Sequence, residues 1–246
     1  ELASHPVFLY HQIHHEKPIY GGYESRVSLD ALQNTQTYFL NMFHILGSKD
    51  DVIKQDLAMH GLSLFDYFDI KYVTLFKKFG TIEVEKFSKR NPEFLPETRQ
   101  IMSEILSGNN PVYEDDGVVV YKIPKPDSSE PFLLLGSGWH VFLPEENVRA
   151  TVENSEILII NPTNSEMYVT LNLVLFSEEN EKTVTIYNNN KKLIEHNVPN
   201  AWTNIVIKNL MLEPGTNVIT LDTDEFTPTK STSEVSLVVQ SISIIN

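Results

Sequence analysis

Cysteine is missing from all 246 residues, which excludes a disulfide framework and any thiolate-held metal. Basic residues are scarce: 19 Lys and Arg stand against 33 Asp and Glu, for a net charge of −14. A surface that acidic repels phosphate backbones and gains little from anionic lipid, so nucleic acid is not an expected partner. Long apolar runs are absent as well. The most apolar uncharged stretch, PFLLLGSGWHVFLP over 131–144, has a proline at each end and is too short to span a bilayer. The first residues do not read as a signal peptide, and a chain opening on Glu1 rather than Met is expected to be a piece of a longer protein.

What is present is ordinary for a folded protein, with 41% hydrophobic and 21% charged residues. The length suits one large domain or two of common size. Acidity is concentrated late: residues 1–125 hold 13 Lys and Arg against 17 Asp and Glu, and the remainder 6 against 16.

The two parts follow different patterns. In the first, extended runs such as PVFLYHQI (6–13) and DIKYVTLF (69–76, read as a buried strand) alternate with helical spacing. Ser28 or Asp30 can cap a helix whose inner face is Leu32, Phe39, Met42, Phe43 and Leu46, with Gly47 as its stop. A second helix is expected from Asp50–Asp51, with Val52, Ile53, Met59, Leu62 and Phe65 inward, because acids suit a helix N-terminus. A third covers Pro96–Leu106, burying Ile101, Met102, Ile105 and Leu106. PVYEDDGVVVYKI (111–123) places Asp116-Gly117 between two β-rich runs and reads as a hairpin. Strands alternating with helices predict an α/β domain over 1–125.

PKPDSSE (124–130) has linker composition. Beyond it, strand runs at 151–162, 167–177, 182–189, 191–198, 203–212, 217–223 and 234–246 are broken by turns such as NPTN, YNNNK and EPGTN. This pattern predicts an all-β, jelly-roll-like sandwich over 131–246, of the kind that carbohydrate-binding modules use. The expected class is α+β and multidomain.

The chemistry-bearing residues cluster near the start, in YHQIHHEKPIYGGYESR (10–26). His11, His14 and His15 offer imidazoles for a metal, with His44 or His60 as a distant fourth ligand. On a strand, however, His11 and His15 face opposite to His14, and no H-E-x-x-H spacing is present. Gly21-Gly22 lacks the pattern of a phosphate loop and reads as a turn. No G-x-S-x-G occurs, and the acid pairs Asp50-Asp51 and Asp115-Asp116 sit where a helix start and a turn are expected. In the second half, Trp139, Trp202, Tyr168 and Tyr187 can stack on sugar rings or anchor a core. Asp222, Asp224 and Glu225 could hold calcium or form a solvated loop.

The string Gln12, His15, Lys17-Pro18, Gly21-Gly22-Tyr23 and Ser25-Arg26 resembles a motif of polytopic prokaryotic membrane proteins similar to the GT-C glycosyltransferases. These are relatives of the dolichyl-phosphate-mannose protein mannosyltransferases. DIKYVTLFKK (69–78), PVYEDDGVVVYKI (111–123) and SGWHVFLPEENVRAT (137–151) resemble further stretches of the same family's soluble part, with Arg149 in place and Ala150 where Trp is usual. His11 and His14 depart from the motif, and Glu16 replaces a glycine.

The resemblance implies an extracytoplasmic region attached through upstream membrane helices. Catalytic acids and the polyprenyl-phosphate sugar donor would then belong to the membrane domain of the same polypeptide, leaving no catalytic residue and no cofactor here. Gln12, His15, Lys17, Tyr23 and Arg26 would face that domain, with Lys17 and Arg26 suited to a lipid-linked phosphate. The expected role is non-catalytic support of lipid-linked sugar or acceptor glycan handling. The alternatives are a free-standing secreted carbohydrate-binding protein, or a metal-dependent hydrolase built on His11, His14 and His15.

Overall fold

The structure, a computed structural model, describes residues 51–79, 82–83, 94–106, 108, 110–126, 130–140, 142–143, 145–178, 181–223 and 237–245. Its first part holds α1 (Leu57–Tyr67), β1 (Tyr72–Phe76), β2 (Lys78–Phe79), β3 (Ile82–Glu83), α2 (Phe94–Ile105), β4 (Tyr113–Glu114) and β5 (Val118–Lys122). The strands β1, β5 and β4 pair antiparallel in that order. The predicted hairpin is present, closed by Asp115, whose Oδ1 accepts from Gly117 N at 2.7 Å and Val118 N at 2.8 Å.

The helix α2 buries Ile101, Met102, Ile105 and Leu106 as its spacing predicts. It stops at Gly108, in the left-handed region at φ +79°, whose N–H donates to Ser103 O at 3.0 Å. Against it lies α1, close enough that a methyl on Gly61 would come 2.6 Å from Ile105 Cγ1.

Two expectations are corrected here. Helix α1 does not start at the Asp50–Asp51 pair; its N-cap is Asp56, whose side chain accepts from Ala58 N at 2.8 Å. Residues 51–55 are extended, because Asp51 is claimed by a buried arginine and Val52 and Ile53 by a strand; Met59, expected inside, is exposed. The strand β1 is not buried throughout: Tyr72 and Thr74 face outward while Leu75 is buried. The helix and strand expected within residues 1–50 lie outside the described residues.

The second part is a β-sandwich. One sheet has the order β11-β10-β13-β8-β6, from β6 (Phe132–Leu135), β8 (Asn154–Asn161), β10 (Lys182–Asn188), β11 (Lys191–Val198) and β13 (Gly215–Thr223). The other runs β12-β9-β14-β7, from β7 (Arg149–Ala150), β9 (Met167–Phe176), β12 (Thr203–Leu212) and β14 (Val238–Ile245). All strand pairs are antiparallel. The chain changes sheet at every connection except the β10–β11 hairpin, as jelly-roll sandwiches do. That hairpin turns on Asn189 and Asn190, both at positive φ, as a tight two-residue turn requires.

Period-2 alternation builds the core. Val169, Leu171, Leu173 and Leu175 of β9 point inward, facing Ile219 and Leu221 of β13 and Ile157 and Ile159 of β8 among others. Buried asparagines fix the turns. Asn217 Nδ2 donates to Glu213 O at 2.9 Å while its Oδ1 accepts from Glu213 N at 2.9 Å, and Asn161 holds the β8–β9 turn through Ser165 O and Thr163 N.

The two parts join along β14. Lys54 N donates to Ile242 O at 2.8 Å and Ile242 N to Val52 O at 2.7 Å, so residues 52–54 continue the edge that β7 begins. Gln55 reaches the opposite sheet, accepting from Leu133 N at 2.9 Å on β6. Tyr67 of α1 meets Phe132 of β6 edge-on at 5.6 Å.

Candidate functional site

Because β9 buries its odd-numbered residues, Tyr168, Thr170, Asn172, Val174 and Phe176 point away from the core. Register carries this outer face across the sheet. Asn204 lies opposite Val174, Val206 opposite Asn172 and Met211 opposite Tyr168 on β12. On the other side, Ser241, Ser243 and Ile245 of β14 lie opposite Val174, Asn172 and Thr170.

Three features set this face apart. First, it is apolar and open: Tyr168 is 62%, Trp202 48% and Ile245 57% exposed, with Val206 and Met211 also exposed. A face this rich in exposed large apolar side chains signals a binding surface. Second, it lacks charge; Lys208, in the β12 bulge between Ile207 and Leu210, is the one charged residue of β9, β12 and β14. By contrast, the outer face of the five-stranded sheet carries Glu156, Asp222, Lys192 and Glu195. Third, its polar side chains are unengaged: among the described residues, Thr170, Asn172, Asn204, Ser241 and Ser243 make no side-chain hydrogen bond.

Trp202 is held in place, not loose. Its ring meets Phe176 edge-on, with centroids 4.5 Å apart and planes at 72°. The turn before it is pinned by Asn200 Nδ2 donating to Glu178 O at 2.7 Å, by Ser177 N to Pro199 O at 3.1 Å and by Thr203 Oγ1 to Ala201 O at 3.1 Å. An aromatic plane fixed this way loses little freedom when a ligand packs on it.

The other sequence candidates are placed differently. Trp139 is half-buried against the core, and its Nε1 donates to Glu156 O at 2.7 Å. Tyr187 is half-buried on the outer face of the other sheet, opposite Lys192 and Thr220. Asp222 lies on β13 opposite Thr185, while Asp224 and Glu225 lie outside the described residues. So do Gln12, His15, Lys17, Tyr23 and Arg26, together with His11, His14 and His44. Among the described residues no three His, Asp or Glu side chains gather as a metal group, and no helix is long and apolar enough to cross a membrane. His60 is buried on α1, where burial lowers its pKa against weaker upward pulls from Asp56 and Glu130.

On the hairpin, Glu114 accepts from Lys77 Nζ at 2.7 Å and Arg99 Nη2 at 2.9 Å, which hold its carboxyl below the usual range. Tyr113 donates to Asp115 Oδ2 at 2.6 Å, which raises the phenol and lowers the acid. In this network Lys77 and Arg99 both pair with Glu114.

No protein-family model matches this chain. No curated protein matches it either. Solved structures do. A family 35 carbohydrate-binding module from Cellvibrio japonicus aligns with TM-score 0.32 and 14% identity, over 48% of this chain and 94% of its own. Another, from an environmental isolate, gives TM-score 0.29 and 17% identity over 45% and 74%. A third, solved with a glucuronic acid-containing disaccharide, gives 0.28 and 15% over 45% and 75%.

Proposed function

We propose that the sandwich binds carbohydrate, and that the outer face of the β12-β9-β14-β7 sheet is the binding surface. The observation that carries this reading is Trp202, exposed and fixed against Phe176 above a row of unengaged Asn and Ser side chains. Pyranose rings present apolar C–H faces that pack on aromatic planes, and a belt of hydroxyls that both donate and accept. Asn amides and Ser and Thr hydroxyls have the same dual capacity.

The motif resemblance supplies a setting for this activity. Within a membrane glycosyltransferase-like protein, the face would hold acceptor glycan outside the cytoplasm while catalysis proceeds in the membrane domain. Free-standing carbohydrate binding needs the same face without that setting. A blot of fractionated source cells separates the two: a washed-membrane band much heavier than 28.1 kDa supports the first, and a soluble band near that mass the second.

The binding itself is tested on a glycan array with the wild-type chain and Trp202→Ala. The proposal requires at least one saccharide that the wild type retains and the variant loses, with both proteins unfolding at the same temperature. Equal retention by the two overturns it.

A further inference from the structure

We infer that the carbohydrate taken by this face is an uncharged, extended oligosaccharide lying along β9 from Trp202 to Tyr168; the inference rests on the carbohydrate reading above. The aromatic groups of the face stand at its two ends. Phe176 and Trp202 form one end, Tyr168 paired with Met211 the other. Tyr168 and Phe176 are eight residues apart on one strand and on one side of it, a span of about 26 Å at ~3.3 Å per residue. A single sugar reaches one of these ends; only a chain of several reaches both.

Between the ends the rows alternate in character. Asn204, Val174 and Ser241 form one row and Val206, Asn172 and Ser243 the next, so hydrogen-bonding groups flank an apolar centre in the first, and a valine and a serine flank a polar centre in the second. A chain of sugars laid along β9 meets both kinds of group in turn. A ligand running across the strands meets aromatic rings at no more than one row.

The exclusion of charge follows from what the face lacks. Carboxylate, sulfate or phosphate on a saccharide is recognised by Arg or Lys, most strongly through paired N–H donors. Here the sole cation is Lys208, displaced into a bulge on the edge strand. The molecule as a whole carries a net charge of −14 and repels an anion on approach. Nor does the face bury an acid that a cationic amino sugar would pair with.

The test is calorimetric titration of the whole chain with defined probes: cellohexaose, mannohexaose and N-acetylchitohexaose, the disaccharide of each, and hexagalacturonate. The expected result is that a neutral hexasaccharide binds ~10-fold or more tighter than its disaccharide. Tyr168→Ala should then remove that length advantage, bringing the hexasaccharide affinity down to that of the disaccharide. Hexagalacturonate should not bind.

Tighter binding of hexagalacturonate, or equal affinity for disaccharide and hexasaccharide, overturns the inference and leaves the carbohydrate reading standing. Binding of no saccharide, here and on the array, overturns both. Tyr168 is largely exposed, so its truncation does not threaten the fold, and the unfolding temperature of the variant checks this directly.

Discussion

Arg149 grips Asp51 across 98 residues of chain, Nε to Oδ1 at 2.7 Å and Nη2 to Oδ2 at 2.6 Å, with both side chains almost fully buried. The third arm of the guanidinium, Nη1, donates to His140 O at 2.7 Å, and Asp51 Oδ1 also accepts from Val52 N at 2.7 Å. The ion pair therefore fixes residues 51–55 beside β7 at the point where they begin to pair with β14. Removing one partner leaves the other charge buried and unmatched. Asp51→Ala is expected to cost about 3–5 kcal/mol, read from urea denaturation midpoints. The double change Asp51→Ala with Arg149→Met should recover a large part of that loss.

The two tryptophans should separate cleanly in stability measurements. Trp139 packs on the core and satisfies its N–H on Glu156 O, so Trp139→Ala should cost about 2–4 kcal/mol. Trp202 is half-exposed, and Trp202→Ala should cost less than ~1.5 kcal/mol while abolishing saccharide binding. Thermal unfolding of both variants checks the first contrast, and the array the second. A large loss of stability in Trp202→Ala would mean that the ring serves the fold.

Two glycines at positive φ make a matched pair. At Gly138, φ +85°, an added Cβ would sit 2.3 Å from the Asn154 carbonyl oxygen, a backbone atom that cannot yield alone. At Gly108, φ +79°, the same Cβ meets nothing within 4 Å. Gly108→Ala should therefore show only the left-handed backbone cost, about 1–2 kcal/mol. Gly138→Ala should exceed that by roughly 1–3 kcal/mol of steric strain. Equal midpoints for the two would show that the β7–β8 region relaxes freely.

Burial holds His60 below its ordinary value of 6.5, so the folded protein binds that proton less readily than the unfolded chain. With more protons bound to the unfolded state, stability rises with pH across this interval. The contribution is complete above about pH 6.5 and is lost as pH falls through the lower folded-state value. His60→Gln should flatten this part of the profile relative to wild type. Denaturant midpoints measured from mildly acidic to neutral pH give the comparison.

The sandwich was legible because its seven longest strands show period-2 alternation between Asn, Pro and Gly turns, and their observed ends fall within a few residues of those read from the sequence. The strand β6 was not, since Phe132, Leu133, Leu134 and Leu135 are all buried and such a run has no alternation to read. The role of Asp51 was invisible too; an acid pair before an apolar stretch looks like a helix start, and its real partner is far away in sequence. The outer face was legible only in part. Tyr168 and Trp202 stood out by type, but their assembly with Asn172, Ser241 and Met211 depends on strand pairing. Two bulges decide the matter. Unbroken alternation from Ile205 would turn Met211 inward, and from Val239 would turn Ile242 outward; the extra residues after Ile207 and at Gln240 reverse both.

The position of β14 has a consequence for how the protein assembles. It lies inside its sheet, between β9 on one side and both β7 and residues 52–54 on the other, although it follows all of them in the chain. On the ribosome, the four-stranded sheet stays split, with the edges of β9 and β7 unpaired, until residues 238–245 emerge. Closure then waits on contacts of very long sequence separation, which form slowly. The proposed saccharide face, which includes Ser241, Ser243 and Ile245 beside β9, is thus among the last surfaces to be completed, and a nascent chain stalled before β14 presents only its β9–β12 part.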